Sequence, residues 1–215
     1  MKRILTAAVA MALAATALLA LPAGATGQAA RANGCTIFGT DGDDELFGTD
    51  GDDVICGLRG HDTLYGLQGN DRLKGGPGRD TLRGNRGDDK LIGGGGRDTV
   101  YGDAGNDILK GNKGNDVIRG YEGDDVLRGG AGNDRMYGGP GTDRMYGNDG
   151  DDILKGGADA DLLIGGLGAD RLLGFTGDDD LRGLDGIEGN DYVRGDEGTD
   201  TCTSDPGDTV NTCEL

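Results

Sequence analysis

Aspartate is the residue whose spacing in this sequence could do chemistry. Between Gly39 and Arg182 it recurs every nine residues without a gap, as Asp44, Asp53, Asp62, Asp71, Asp80, Asp89, Asp98, Asp107, Asp116, Asp125, Asp134, Asp143, Asp152, Asp161, Asp170 and Asp179. A carboxylate is a hard oxygen ligand of the kind that calcium takes. Sixteen equivalent positions suit repeated metal ligation far better than a single acid–base pair. Retaining glycosidases hold two carboxyl groups about 5–5.5 Å apart. Stacked aspartates would reproduce that spacing everywhere, so the spacing by itself says nothing about hydrolysis. Other catalytic constellations are lacking. The chain has one histidine, His61, and one serine, Ser204, near opposite ends of the repeat array, roughly 35 Å apart at one strand spacing per coil. A nucleophile and its base must lie within hydrogen-bond reach, and no His-Glu-x-x-His zinc motif occurs. We therefore expect no enzyme.

The elements that position these carboxylates repeat with them. In Gly102-Asp103-Ala104-Gly105-Asn106-Asp107-Ile108-Leu109-Lys110, taken as the type, position one is Gly in all sixteen copies and position six is Asp in all sixteen. Position eight is always Leu, Ile, Val or Met. Position four is Gly in fifteen, with Asp159 as the exception. Gly at positions one and four is expected to reach positive φ and to let the backbone approach an ion closely. Position five is Asp or Asn in ten copies, residues that tolerate left-handed turns. Positions seven to nine should alternate as a strand with only position eight inward. A fixed short period means a solenoid whose units bury their apolar faces against one another.

This pattern resembles the hemolysin-type, or RTX, calcium-binding nonapeptide repeat. The resemblance implies a six-residue turn and a three-residue strand per unit, with two units per coil of an all-β, right-handed parallel β-roll. It also implies multiple Ca²⁺ ions between turns two units apart, held by the position-six carboxylates and loop carbonyls. One turn edge would carry the column from Asp44 to Asp170 and the other the column from Asp53 to Asp179, with neighbours about 4.8 Å apart. Like charges that close repel unless a cation lies between them. Eight full coils would be roughly 40 Å long.

Three alternatives fail on spacing. An EF-hand needs a twelve-residue loop ending in Glu between helices, and Gly this frequent disfavours helix. Collagen needs Gly at every third position. A phosphate-binding loop needs a strand before it and a helix after it.

Residues 1–25 read as a secretory signal peptide, with Lys2 and Arg3 before an apolar run and Ala23-Gly24-Ala25 as cleavage site. The mature chain is then expected to be secreted and extracellular, with no further membrane span. Residues 26–38 are a lead-in with a degenerate repeat in which Cys35 replaces the aspartate. Residues 39–182 are the sixteen-repeat roll. Residues 183–215 are degenerate repeats and a cap, including a copy lengthened by three residues. Four cysteines in an exported chain suggest two bridges and leave three pairings open. Local pairing of Cys35 with Cys56 and of Cys202 with Cys213 would staple both ends.

The formal charge of −18 becomes −20 without Lys2 and Arg3, and the sixteen aspartates supply −16 of it. A strongly acidic surface would repel nucleic acid and anionic membrane. The outward position nine sets Phe47, Tyr65, Arg83, Tyr101, Arg119, Tyr137 and Lys155 in one file, which could make cation–π contacts. The file either covers a narrow sheet or binds an extracellular glycan or surface protein. Thr63, Thr81 and Thr99 form a column too short to argue for ice binding. The reading is a secreted calcium-binding protein whose roll folds on binding calcium. An adhesion or surface-interaction protein is the alternative, and a polysaccharide-active enzyme is a third.

Overall fold

The computed structural model describes residues 3–6, 34–187 and 189–213. Every regular element among them is a β-strand, and the strands form two parallel sheets. The chain alternates between them, giving each eighteen-residue coil one strand in each. The first sheet has eleven strands, among them Thr63–Gln68, Thr81–Arg86, Thr99–Ala104, Val117–Glu122 and Arg135–Pro140. The second has ten, among them Arg72–Pro77, Lys90–Gly95, Ile108–Lys113, Val126–Ala131 and Arg144–Asp149. Partners are eighteen residues apart, as in Leu64↔Leu82 and Leu82↔Val100. This is the expected all-β parallel β-roll.

The strands are six residues long rather than three. Each runs from position seven through position three of the next repeat, because ladder pairing continues there, as in Gly76↔Gly94 and Pro77↔Gly95. Alternation then gives two inward positions per strand, not one. Position eight supplies the apolar side chain, and position one, a glycine, lies buried beside it. The core is two facing files, one per sheet, running from Leu46 to Val193 and from Ile55 to Leu181, and every member is 0% exposed. With one apolar side chain per strand, core volume is small and each side chain counts.

The backbone torsions differ from the expected ones in a way that explains the glycines. From the third repeat on, positive φ occurs at positions two and four, as at Asp103 (79°) and Gly105 (129°), and position one is not left-handed. Glycine is required at position one by crowding. A Cβ on Gly102 would collide with Oδ2 of Asp107 and lie 2.8 Å from the carbonyl oxygen of Gly120. Position two must still be left-handed, and Leu58, Leu67, Tyr121 and Phe175 adopt that conformation without being glycine, at about 1–2 kcal/mol each. Position five does not take positive φ either. Its Asp and Asn side chains bridge coils instead, with the Asn106 N–H donating to Asp88 Oδ1 and the Asp124 N–H to Asn106 Oδ1, both at 2.8 Å.

The sheets extend past the regular repeats. Ile37–Phe38 pairs with Ile55 and Cys56, and Thr209–Asn211 ends the first sheet. The three inserted residues are absorbed between Gly183 and Tyr192, and pairing resumes as Arg171↔Tyr192. Ten strands at about 4.8 Å give roughly 45 Å, longer than the eight coils of regular repeats. Disulfides join Cys35 to Cys56 and Cys202 to Cys213, with Cα–Cα distances of 6.1 and 5.8 Å, which is the local pairing. Arg3–Thr6 pairs in parallel with Asp44–Phe47. The expected cleavage site at Ala23-Gly24-Ala25 lies outside the described residues.

Truncating a core side chain should be felt strongly in so thin a core. Leu109→Ala is expected to lose about 2–5 kcal/mol in denaturant unfolding at saturating calcium. Leu167→Ala, at a side chain 56% exposed, should stay within about 0.5 kcal/mol of the parent. Equal effects would contradict the single-file core.

Candidate metal centre

The position-six aspartates stand at the turn-to-strand junctions and are buried, fifteen of the sixteen at 0–3% exposed and Asp53 at 9%. They are thus interior residues rather than an acidic outer edge. Each column is laced by its own main chain. The Asp62 N–H donates to Asp80 Oδ1 at 2.9 Å, the Asp80 N–H to Asp98 Oδ1 at 2.8 Å, and the series continues to Asp170. The second column runs in the same way from Asp53 to Asp179.

One carboxylate oxygen is used by this ladder and the other is left over. Oδ2 of each position-six aspartate from Asp62 to Asp179 is buried without a hydrogen-bond partner. An unsatisfied buried acceptor costs about 1–3 kcal/mol and a charged one more. No basic side chain compensates, because the three ion pairs among the described residues involve Asp103, Asp180 and Asp196 instead. Each free oxygen faces the crowded space over its own position-one glycine, where the position-one carbonyl of the next coil also points. Over Gly120 these atoms are Asp125 Oδ2 and Gly138 O, and over Gly138 they are Asp143 Oδ2 and Gly156 O. Among the described residues no three His, Cys, Asp or Glu side chains converge on one point. A donor set here must therefore combine carboxylate with main-chain carbonyl. That all-oxygen set fits a hard cation such as calcium and not a soft one.

The titration of these groups reflects their burial. Burial is the largest cause, the hydrogen bond from the preceding coil opposes it, and neighbouring carboxylates add to it. Asp107, Asp152 and Asp161 are pushed up to about 8. Asp62, Asp89, Asp98, Asp134, Asp143 and Asp170 reach about 7. Asp71, Asp80, Asp125 and Asp179 reach about 6.

Sequence reasoning missed two members and the distinct character of two others. Asp191 and Asp200, beyond the insertion, accept the N–H groups of Asp170 and Asp179 at 2.8 and 3.1 Å, and each leaves Oδ2 buried and unpartnered. The restored phase at Gly189-Asn190-Asp191 was the signal. Asp44 and Asp53 differ in the other direction. Their Oδ2 atoms accept the hydroxyls of Thr40 and Thr49 at 2.9 and 2.8 Å, together with the amides of the same threonines. Threonine at position two, found only in these two repeats, marks them. Eighteen of the 39 acidic residues are thus buried, and the remaining 21 in residues 26–215 nearly balance the 19 Lys and Arg there. The reading of a strongly acidic surface is corrected accordingly, since the charge is internal.

Other singled-out residues take structural places. His61 lies in its turn, where its N–H donates to Asp43 Oδ1 and its Nδ1 accepts the Arg79 N–H, both at 2.8 Å. The file from Phe47 to Lys155 is stacked on itself. Phe47 and Tyr65 lie 4.9 Å apart and nearly parallel, and Arg119 sits between Tyr101 and Tyr137 at 5.6 and 5.0 Å. Asp159 is left-handed at φ 71°, and its charge helps raise Asp143 and Asp161.

Two outcomes are expected. The raised carboxylates favour the protonated folded state, so metal-free stability is greatest below about pH 4 and is lost as pH rises through the range from about 6 to 8. Circular dichroism in metal-free buffer should therefore show more β-structure at pH 4 than at pH 8, and the opposite trend would refute buried, uncompensated carboxylates. Asp159→Gly should relieve left-handed strain and tighten calcium binding by the 156–194 segment, read by hydrogen exchange at limiting calcium. Weaker binding would make Asp159 a ligand.

The sequence pattern of the RTX calcium-binding nonapeptide repeat (4 copies) matches residues 36–64, 65–100, 101–136, 137–172, 155–187 and 173–210. A comparison with curated proteins found no match. The matches run unbroken from 36 to 210, over the same coils that carry the aspartate columns, and the repeats are calcium-binding motifs for multiple Ca²⁺ ions. The chain belongs to the RTX calcium-binding nonapeptide repeat family.

Proposed function

We propose that this is a secreted calcium-binding protein whose roll folds when calcium enters its turns. The observation that carries the reading is the row of buried, unpartnered Oδ2 atoms from Asp62 to Asp179. We assign the ligand role to those fourteen carboxylates, to Asp191 and Asp200, and to the position-one carbonyls beside them. Asp44 and Asp53 belong to the same columns but already receive two donors each from Thr40 and Thr49, so they are the weakest ligands of the sixteen. Bound calcium supplies the positive charge that the interior lacks. The chain's part is to hold one carboxylate oxygen by an amide and leave the other free. Residues 1–25 act as the export signal in this reading, and the two disulfides are compatible with an extracellular setting. No helix among the described residues is long and apolar enough to cross a membrane.

Binding rather than catalysis is the role supported here. Sixteen carboxylates that share one arrangement, Oδ1 bonded to an amide and Oδ2 free, lack the asymmetry that separates an acid from a base. The aromatic and cationic file favours no adhesive role of its own, because its ring faces are covered by their neighbours.

The test is circular dichroism of residues 26–215 titrated with calcium at neutral pH. The chain should be largely unfolded in chelator and gain β-structure cooperatively at or below about 10⁻⁴–10⁻³ M calcium, the usual range of extracellular modules. Magnesium should substitute poorly, since it demands octahedral geometry and sheds water reluctantly. A spectrum already rich in β-structure in chelator and unmoved by calcium would overturn the reading.

A further inference from the structure

With the acidic charge turned inward, the exterior has a polarity that net charge conceals. Five consecutive strands of the second sheet, from Arg72–Pro77 to Arg144–Asp149, contain seven cations and one acid, Asp149. Arg72, Lys74, Lys90, Lys113, Arg128 and Arg144 are exposed and Lys110 is half-buried. None of the seven joins an ion pair among the described residues. The matching five strands of the first sheet carry four cations and two acids, and there Arg83 meets Asp103 at 3.5 Å. The excess therefore belongs to one face.

Register turns these residues into two files along the solenoid axis. One reads Arg72, Lys90, Ile108, Val126, Arg144, and the other Lys74, Ile92, Lys110, Arg128, Tyr146. Steps within a file are about 4.8 Å, and across the two files every coil but one at this level carries a cation beside a short apolar residue or a second cation. Like charges in such files repel, and no ion pair among the described residues offsets them. An extended polyanion lying along the axis would do so coil by coil, with its apolar ring faces against Ile92, Ile108 and Val126.

We propose that this face of the second sheet binds a linear acidic polysaccharide. Charge complementarity selects an anion, and the two axial files select an extended chain. A single-stranded nucleic acid would need aromatic platforms for its bases, and the one aromatic in these five strands, Tyr146, has Arg128 over its ring at 5.1 Å. A bilayer surface would need large apolar side chains to insert, and the apolar residues here are only Ile and Val.

The inference rests on the calcium-filled roll, so folding and binding are read separately. The mature chain in saturating calcium is passed over immobilised dextran sulfate and uncharged dextran, while circular dichroism follows the calcium transition. We expect salt-sensitive binding to dextran sulfate and none to dextran. Lys74→Glu/Lys90→Glu/Lys110→Glu should weaken binding on the order of tenfold or more and leave the calcium transition in place. Arg86→Glu/Arg135→Glu/Arg171→Glu on the first sheet, with the same change in net charge, should weaken it much less. Should the first triple variant fail to fold, Lys74→Gln/Lys90→Gln/Lys110→Gln repeats the test. Failure to bind dextran sulfate, equal losses from both triples, or equal binding of duplex DNA or phosphatidylserine vesicles would each overturn the proposal. A missing calcium transition with dextran sulfate binding intact would instead overturn the calcium reading alone.

Discussion

Each coil of the roll buries two carboxylates against a core of two apolar side chains, and no cationic side chain reaches them. A buried charge must be paired, coordinated or neutralised. The main-chain amide eighteen residues earlier satisfies one oxygen, and the second has only carbonyl oxygens for company. Protonation and calcium are the two ways to satisfy it. In the proposed reading both act on all the coils at once, so proton and metal would compete for the same columns.

The glycine content follows from this arrangement. The carboxylate can reach its place only if the residue at the head of the same turn has no side chain, which is the reason for glycine at Gly102 and its equivalents. Non-glycine residues such as Tyr121 and Phe175 adopt the left-handed conformation within the ladder, Tyr121 paired with Asp103 of the preceding coil and Phe175 with Gly157 and Asp196 on both sides.

Internal charge also changes what the exterior can do. A chain with formal charge −18 would ordinarily repel polyanions, yet the side chains that confer the charge point into the solenoid. Cations are concentrated on the strand faces, where position seven and position nine point outward. The two faces differ because successive repeats go to opposite sheets, so any difference between odd and even repeats becomes a difference between surfaces.

The sequence alone determined the period, the parallel roll, the inward apolar position and the identity of the repeated carboxylate. A one-dimensional fold makes these legible, since each unit meets only its neighbours and the neighbours are the same unit. The pairing of Cys35 with Cys56 and Cys202 with Cys213 was anticipated as one of three choices and was fixed by which strands adjoin. Tertiary structure decided what depends on contacts eighteen or twenty-one residues apart. Among these are the amide that takes Oδ1, the oxygen that is left free, the membership of Asp191 and Asp200, and the threonine donors that set Asp44 and Asp53 apart. Local preference could not assign positive φ to position two over position one, because glycine serves both left-handed torsion and close approach, and only packing against the next coil separates the two.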